Sequence, residues 1–119
     1  MIFWNSQSDR RQHPRFRVQG DAVVVLKSYP STMGKIIDIS RDGLAFRYIH
    51  NLEWLNHTHI LDIFQAKSGF YLGRAQFKTV SNAKISDFVR RLSVQFNGLN
   101  RGQKKRLDRF IEEVTVDSA

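Results

Sequence analysis

The sequence predicts an all-β domain with one C-terminal helix, built as a six-stranded antiparallel β-barrel. Three observations lead there. Six short segments rich in valine, isoleucine and aromatic residues follow one another, roughly Arg17 to Lys27, Gly34 to Ser40, Leu44 to His50, Thr58 to Ala66, Phe70 to Ser81 and Phe88 to Asn97. The connections between them are too short for helical crossovers, which leaves antiparallel pairing. Only one stretch, after Asn100, repeats apolar residues at helical spacing. A sheet of this many strands with a single helix to cover it hides its edges best by closing on itself.

Taken in order, residues 1–9 have no periodicity and read as a loose leader, with one domain over residues 10–119. Arg10-Arg11-Gln12-His13-Pro14-Arg15-Phe16-Arg17 follows as a basic loop. Pro14 fixes its own φ and biases His13 toward extended geometry, so the loop runs into the first strand. Breaks between strands fall at Tyr29-Pro30-Ser31, Asp42-Gly43, Lys67-Ser68-Gly69 and Ser81-Asn82, all turn-forming compositions. In the last segment Leu107, Phe110, Ile111 and Val114 form one stripe, Asn100 stands as N-cap, and Gln103 occupies the capping-box position.

Composition narrows the function classes. A chain of 119 residues with 41% apolar and 25% charged residues is sized and balanced for one globular domain. It has no cysteine, which excludes disulfides, thiolate metal sites and cysteine nucleophiles. His57 and His59 share a strand face without a third ligand at recognisable spacing, and no serine sits in a nucleophile elbow or near a histidine–acid pair. An enzyme and a metal cofactor are therefore not expected. No apolar run reaches the length of a membrane span, so the chain reads as cytoplasmic. A net charge of +8 draws polyanions, whether nucleic acid, an anionic surface or a phosphate ligand.

Two patterns carry recognisable chemistry. Arg11 and Arg15 stand four apart in the basic loop, and guanidinium groups fork onto phosphate oxygens or onto guanine O6 and N7. In Asp38-Ile39-Ser40-Arg41-Asp42-Gly43, strand alternation puts Asp38 and Ser40 on one face, with Ile37 and Ile39 on the other. The carboxylate and hydroxyl then form a ledge able to accept from guanine N1 and N2, ended by a tight Asp42-Gly43 turn with positive φ. Alone, each pattern has an ordinary alternative: two arginines in an arginine-rich chain, and a hairpin with solvated polar residues.

Together and in this order, Arg11-Gln12-His13-Pro14-Arg15 and Asp38-Ile39-Ser40-Arg41-Asp42-Gly43 resemble the RxxxR and D/N-x-S-x-x-G motifs of the PilZ domain family, matching every defining position. The resemblance continues through Gly73-Arg74-Ala75, Leu92-Ser93-Val94-Gln95-Phe96 and the terminal helix. It implies a six-stranded barrel with a C-terminal helix and a receptor for cyclic di-GMP that signals to a downstream protein partner. By resemblance, Arg11 and Arg15 hold guanine edges and phosphates, while Asp38, Ser40 and Gly43 meet a guanine base. Arg10 extends the loop to the version that the resemblance links to two stacked ligand molecules per chain. The alternative is a small basic barrel binding single-stranded nucleic acid through charge and exposed aromatics. The complete signature disfavours it.

Overall fold

The structure is a computed structural model that describes residues 14–18, 20–27, 32–49 and 59–118. Among these residues the chain forms β1 (Phe16–Val18), β2 (Ala22–Leu26), β3 (Thr32–Ile39), β4 (Gly43–Ile49), β5 (Ile60–Gln65), β6 (Phe70–Lys84), β7 (Val89–Phe96), α1 (Arg101–Val114) and β8 (Thr115–Ser118). Hydrogen bonding runs β2-β5-β6-β7-β4-β3, and a further β2–β3 pairing closes that ring into a six-stranded antiparallel barrel. Strands β1 and β8 are appended to it: β1 pairs with the end of β3, and β8 pairs with β1.

Alternation along the strands fills the barrel. Ala22, Val24 and Leu26 of β2 point inward, as do Leu44, Phe46 and Tyr48 of β4 and Leu92 and Val94 of β7. Leu61 and Ile63 complete the wall from β5, with Leu72, Ala75 and Phe77 from β6. The helix buries Leu107, Phe110 and Ile111 against this core, and Phe110 stacks on Phe70 with centroids 4.2 Å apart. The side chain of Val114 falls outside the described residues, as do residues 1–9 and the Tyr29-Pro30-Ser31 break.

Four details depart from the sequence expectation. The segment Arg17 to Lys27 is two strands, because Gly20 at φ +88° breaks the extended backbone between β1 and β2. Strand β6 runs through Ser81-Asn82 to Lys84, since both residues pair with β7 and that pairing outweighs their turn preference. Thr115–Ser118 pairs with β1 as β8, a contact between segments far apart in sequence that local pattern does not encode. Finally, Ile36 and Ile39 both face the core. Two inward residues three apart need an extra residue between them, and Ile37 supplies it as a β-bulge between the Ile36↔Phe46 and Asp38↔Ala45 pairs.

The helix is locked at its start. Gln103 N–H donates to Asn100 Oδ1 at 2.8 Å and Asn100 N–H donates to Gln103 Oε1 at 2.9 Å, a complete capping box. Gln103 Nε2 also donates to the carbonyls of Gly73 and Arg74. Arg74 sits at φ +57° where β6 bulges, and its N–H donates at 2.8 Å to Asp62. Asp62 further accepts from the Tyr71 hydroxyl and pairs with Lys27 at 2.9 Å. Burial opposes ionisation of Asp62, but the Arg74 N–H, Lys27 and Tyr71 together outweigh it and hold the carboxyl below its usual range. No helix among the described residues is long and apolar enough to cross a membrane.

A carboxyl with a lowered pKa stabilises the fold above its unfolded value of about 3.9, and that contribution is lost as pH falls through the lower folded value. Thermal unfolding followed from pH 7 down to pH 2 should therefore show a loss of stability that Asp62→Asn partly removes. At neutral pH Asp62→Ala should cost about 2 kcal/mol, since it leaves the Arg74 N–H without its charged acceptor. An Asp62→Ala melting point equal to wild type would refute this role.

Candidate ligand-binding site

The arm that carries Arg15 is laid along β3 by backbone pairing, Phe16 opposite Ile39 and Arg17 opposite Asp38, with Phe16 partly buried against the core. This brings the Arg15 guanidinium to Asp38, Nη1 to Oδ1 at 2.8 Å. A second guanidinium arrives from the other direction: Arg91 Nη2 lies 3.2 Å from Asp38 Oδ2. Arg91 is on β7, separated from β3 by β4, and must cross that strand. The residue of β4 in register with Asp38 is Ala45, which pairs in turn with Ser93. Its methyl group leaves the crossing open.

Asp38 is 5% exposed, so the ion pairs matter for tolerating its burial. Each carboxylate oxygen has two acceptor sites, and here each oxygen takes one guanidinium. With these partners among the described residues, one site per oxygen remains, in a setting of net positive charge.

The turn beside Asp38 is braced internally. Ser40 Oγ accepts the N–H groups of Asp42 at 3.0 Å and Gly43 at 3.3 Å, and Ser40 N–H donates to the Gly43 carbonyl at 2.8 Å. Ser40 is only 2% exposed, so in this state its hydroxyl shapes the turn and does not line an open ledge. The Asp42 carbonyl accepts from Phe96 N–H, which fastens the turn to β7. Arg41 reaches the helix, Nε to Asp108 Oδ1 at 2.7 Å. A cavity of about 260 Å³ opens alongside, lined by Pro14, Phe16, Arg41, Asp108, Ile111 and Glu112.

Gly43 is required for a reason other than the expected one. The positive-φ glycines among the described residues are Gly20, Gly69 and Gly98, so the turn does not place Gly43 in left-handed backbone. Its neighbourhood forbids a side chain instead: a Cβ there would overlap the Val94 carbonyl oxygen and crowd Gln95 Cα at 3.0 Å. Both are backbone atoms of the paired strand and cannot rotate aside.

Of the residues singled out in the sequence, Arg15, Asp38, Ser40 and Gly43 come together at one corner of the barrel. Arg10, Arg11 and His57 lie outside the described residues. Arg91 was not anticipated. Alternation within β7 puts it on the outer face, but only strand order shows that β7 lies beside β4 and so within reach of Asp38.

A closed antiparallel barrel with a C-terminal helix, bearing an arginine arm against a D-x-S-x-x-G turn, defines a recognisable structural class. The chain belongs to the PilZ domain family, whose sequence model matches residues 9–113. Solved structures agree with the fold. The PilZ domain of Escherichia coli YcgR with c-di-GMP superposes with a TM-score of 0.71 at 15% identity, over 88% of this chain and 91% of that one. MrkH of K. pneumonia in its apo state gives 0.69 at 20% identity over 88% of this chain. The chain spans about half the length of the longer proteins it matches, 45% of YcgR in complex with c-di-GMP and 50% of MrkH. No curated protein matches it in sequence.

Gly43→Ala should destabilise the ligand-free domain by about 1–3 kcal/mol, the usual cost of forcing atoms into a packed site. The expected readout is a lowered melting temperature before any ligand is added. Wild-type stability in Gly43→Ala would show that the β4–β7 approach is looser than the backbone indicates.

Proposed function

We propose that this chain is a receptor domain for cyclic di-GMP, binding the nucleotide at the Arg15–Asp38 corner and carrying out no reaction on it. One observation carries the proposal: two sequence-distant motifs meet in a single contact, Arg15 to Asp38 at 2.8 Å. Family membership supports it, as do structural neighbours solved with c-di-GMP.

In this mechanism Arg11 and Arg15 fork onto phosphate oxygens and guanine acceptors, and Asp38 accepts from guanine N1 and N2 through the sites its two guanidinium partners leave open. Ser40 and Gly43 keep the turn close to the barrel so that a base can lie against it. Arg10, as a third guanidinium in the loop, stacks on a base when a second ligand molecule binds. Ordering of the N-terminal arginine loop on the ligand then becomes the signal. Strand β1 lies between β3 and β8, so a change in the arm reaches the C-terminal strand through backbone pairing. Arg41 carries the same change from the turn to the helix through Asp108, presenting an altered surface to a downstream partner.

Titration calorimetry with cyclic di-GMP, cyclic di-AMP and a short single-stranded oligonucleotide tests the proposal. Cyclic di-GMP should bind best, because adenine lacks the adjacent N1–H and N2–H donors that suit the Asp38 carboxylate, and Asp38→Ala should narrow the preference. Arg11→Ala and Arg15→Ala should each weaken binding roughly a hundredfold or more, given about 1.5–3 kcal/mol per charge-assisted bond lost. Saturating ligand, at about a hundred times its Kd, should stabilise the wild type by roughly 2.7 kcal/mol. Tighter binding of the oligonucleotide, with steep weakening in salt, would favour a nucleic-acid barrel instead.

A further inference from the structure

The receptor mechanism leaves a row of cations beside the Asp38 corner unused. One outward-facing step along the sheet from the Asp38–Ala45–Ser93 row, Lys35 pairs directly with Arg47, and Arg47 directly with Arg91. Neighbouring strands lie about 4.8 Å apart, so three cationic side chains leave the wall within about 10 Å of one another. Like charges placed directly opposite across strands are destabilising.

Lys27–Asp62, Arg41–Asp108 and Lys84–Asp87 are ion pairs in which a single cation meets a carboxylate. Lys35 and Arg47 are exposed and have no carboxylate partner among the described residues. Arg91 gives one nitrogen to Asp38, and its side chain is 42% exposed, which leaves donors turned outward. Past the row the wall becomes apolar, where Met33, Ile49, Ile85 and Val89 line a groove of about 530 Å³ that Lys35 and Arg47 border. A low-dielectric wall on that side strengthens the field of the row toward the Asp38 corner.

We propose that Lys35, Arg47 and the outward edge of Arg91 form an anion subsite. It takes the phosphodiester of the bound nucleotide that is turned away from the arginine loop. The subsite rests on the receptor function proposed above and extends it. Two residues along a strand cover about 7 Å, which puts the row within the span of one cyclic dinucleotide whose base edge lies on Asp38. The chemistry suits a phosphodiester: its two free oxygens accept from an arginine fork on one side and a lysine point charge on the other. The ligand then offsets the repulsion built into the ligand-free row.

The test is titration calorimetry with cyclic di-GMP, and with a short single-stranded oligonucleotide, at low and high salt. Lys35→Gln/Arg47→Gln should weaken affinity about tenfold or more at about 0.05 M salt, with the difference narrowing at about 0.5 M as the charges are screened. Preference for cyclic di-GMP over cyclic di-AMP should persist, because Asp38 is untouched. Arg47→Lys should fall between wild type and the double variant, because it keeps the charge and loses the fork. Lys67→Gln/Lys104→Gln removes the same charge from exposed positions on the β5–β6 turn and the helix, and should bind like wild type.

Wild-type affinity in Lys35→Gln/Arg47→Gln overturns the subsite and leaves the receptor function standing. Equal losses in both double variants reduce it to a net-charge effect, and a loss confined to oligonucleotide binding assigns the row to nucleic acid. A wild-type protein that does not bind cyclic di-GMP defeats the receptor function itself, a result distinct from failure of the row alone.

Discussion

A carboxylate on the wall of a small β-barrel, only 5% exposed, persists when charge and hydrogen bonds replace the water it has lost. Asp38 obtains them from Arg15 and Arg91, one guanidinium for each oxygen. Much of the local architecture follows from that need. Strand β1 must lie along β3 to deliver Arg15, and β7 must stand one strand beyond β4 to deliver Arg91. The residue between them must be as small as Ala45. The bulge at Ile37 turns Asp38 outward while Ile36 and Ile39 both stay in the core. Strengthened local twist at a bulge is a common way of aiming a side chain.

The barrel wall at β5 and β6 is braced by a second buried carboxylate with a different task. Asp62 gathers Lys27, Tyr71 and the Arg74 amide, while Gln103 holds the Gly73 and Arg74 carbonyls from the helix start. That network fixes α1 to β6 at its N-terminal end. Toward the other end the helix meets the Arg41 turn through an exposed ion pair, Arg41 at 56% and Asp108 at 38% side-chain exposure. Exposed pairs contribute little to stability. The hold on α1 therefore comes from the Gln103 network at its start and from the burial of Leu107, Phe110 and Ile111, with the Arg41–Asp108 pair adding little.

Much of this was legible in the sequence because it is local. Alternating apolar residues located six strands, and Asn100 with Gln103 marked the helix start that the capping box realises. The two motifs named Arg15 and Asp38 before their contact was visible. What escaped was set by tertiary pairing. Arg91 became a partner of Asp38 only through the order β7-β4-β3, and β8 formed only because β1 offered it an edge. The need for glycine at position 43 comes from the close approach of the β7 backbone and not from the left-handed turn that Asp42-Gly43 suggests. The Ile37 bulge likewise depends on two core isoleucines three residues apart, a spacing that strict alternation does not produce.

On the proposed receptor function, Asp38, held between Arg15 and Arg91, reads the edge of a guanine. The most direct measurement is a structure of the domain crystallised with cyclic di-GMP. A guanine edge is expected within hydrogen-bonding distance of the Asp38 carboxylate, with the Arg15 guanidinium on the ligand or shared between ligand and carboxylate. A nucleotide seated elsewhere on the barrel, with the Arg15–Asp38 contact intact and no base near it, would contradict the claim.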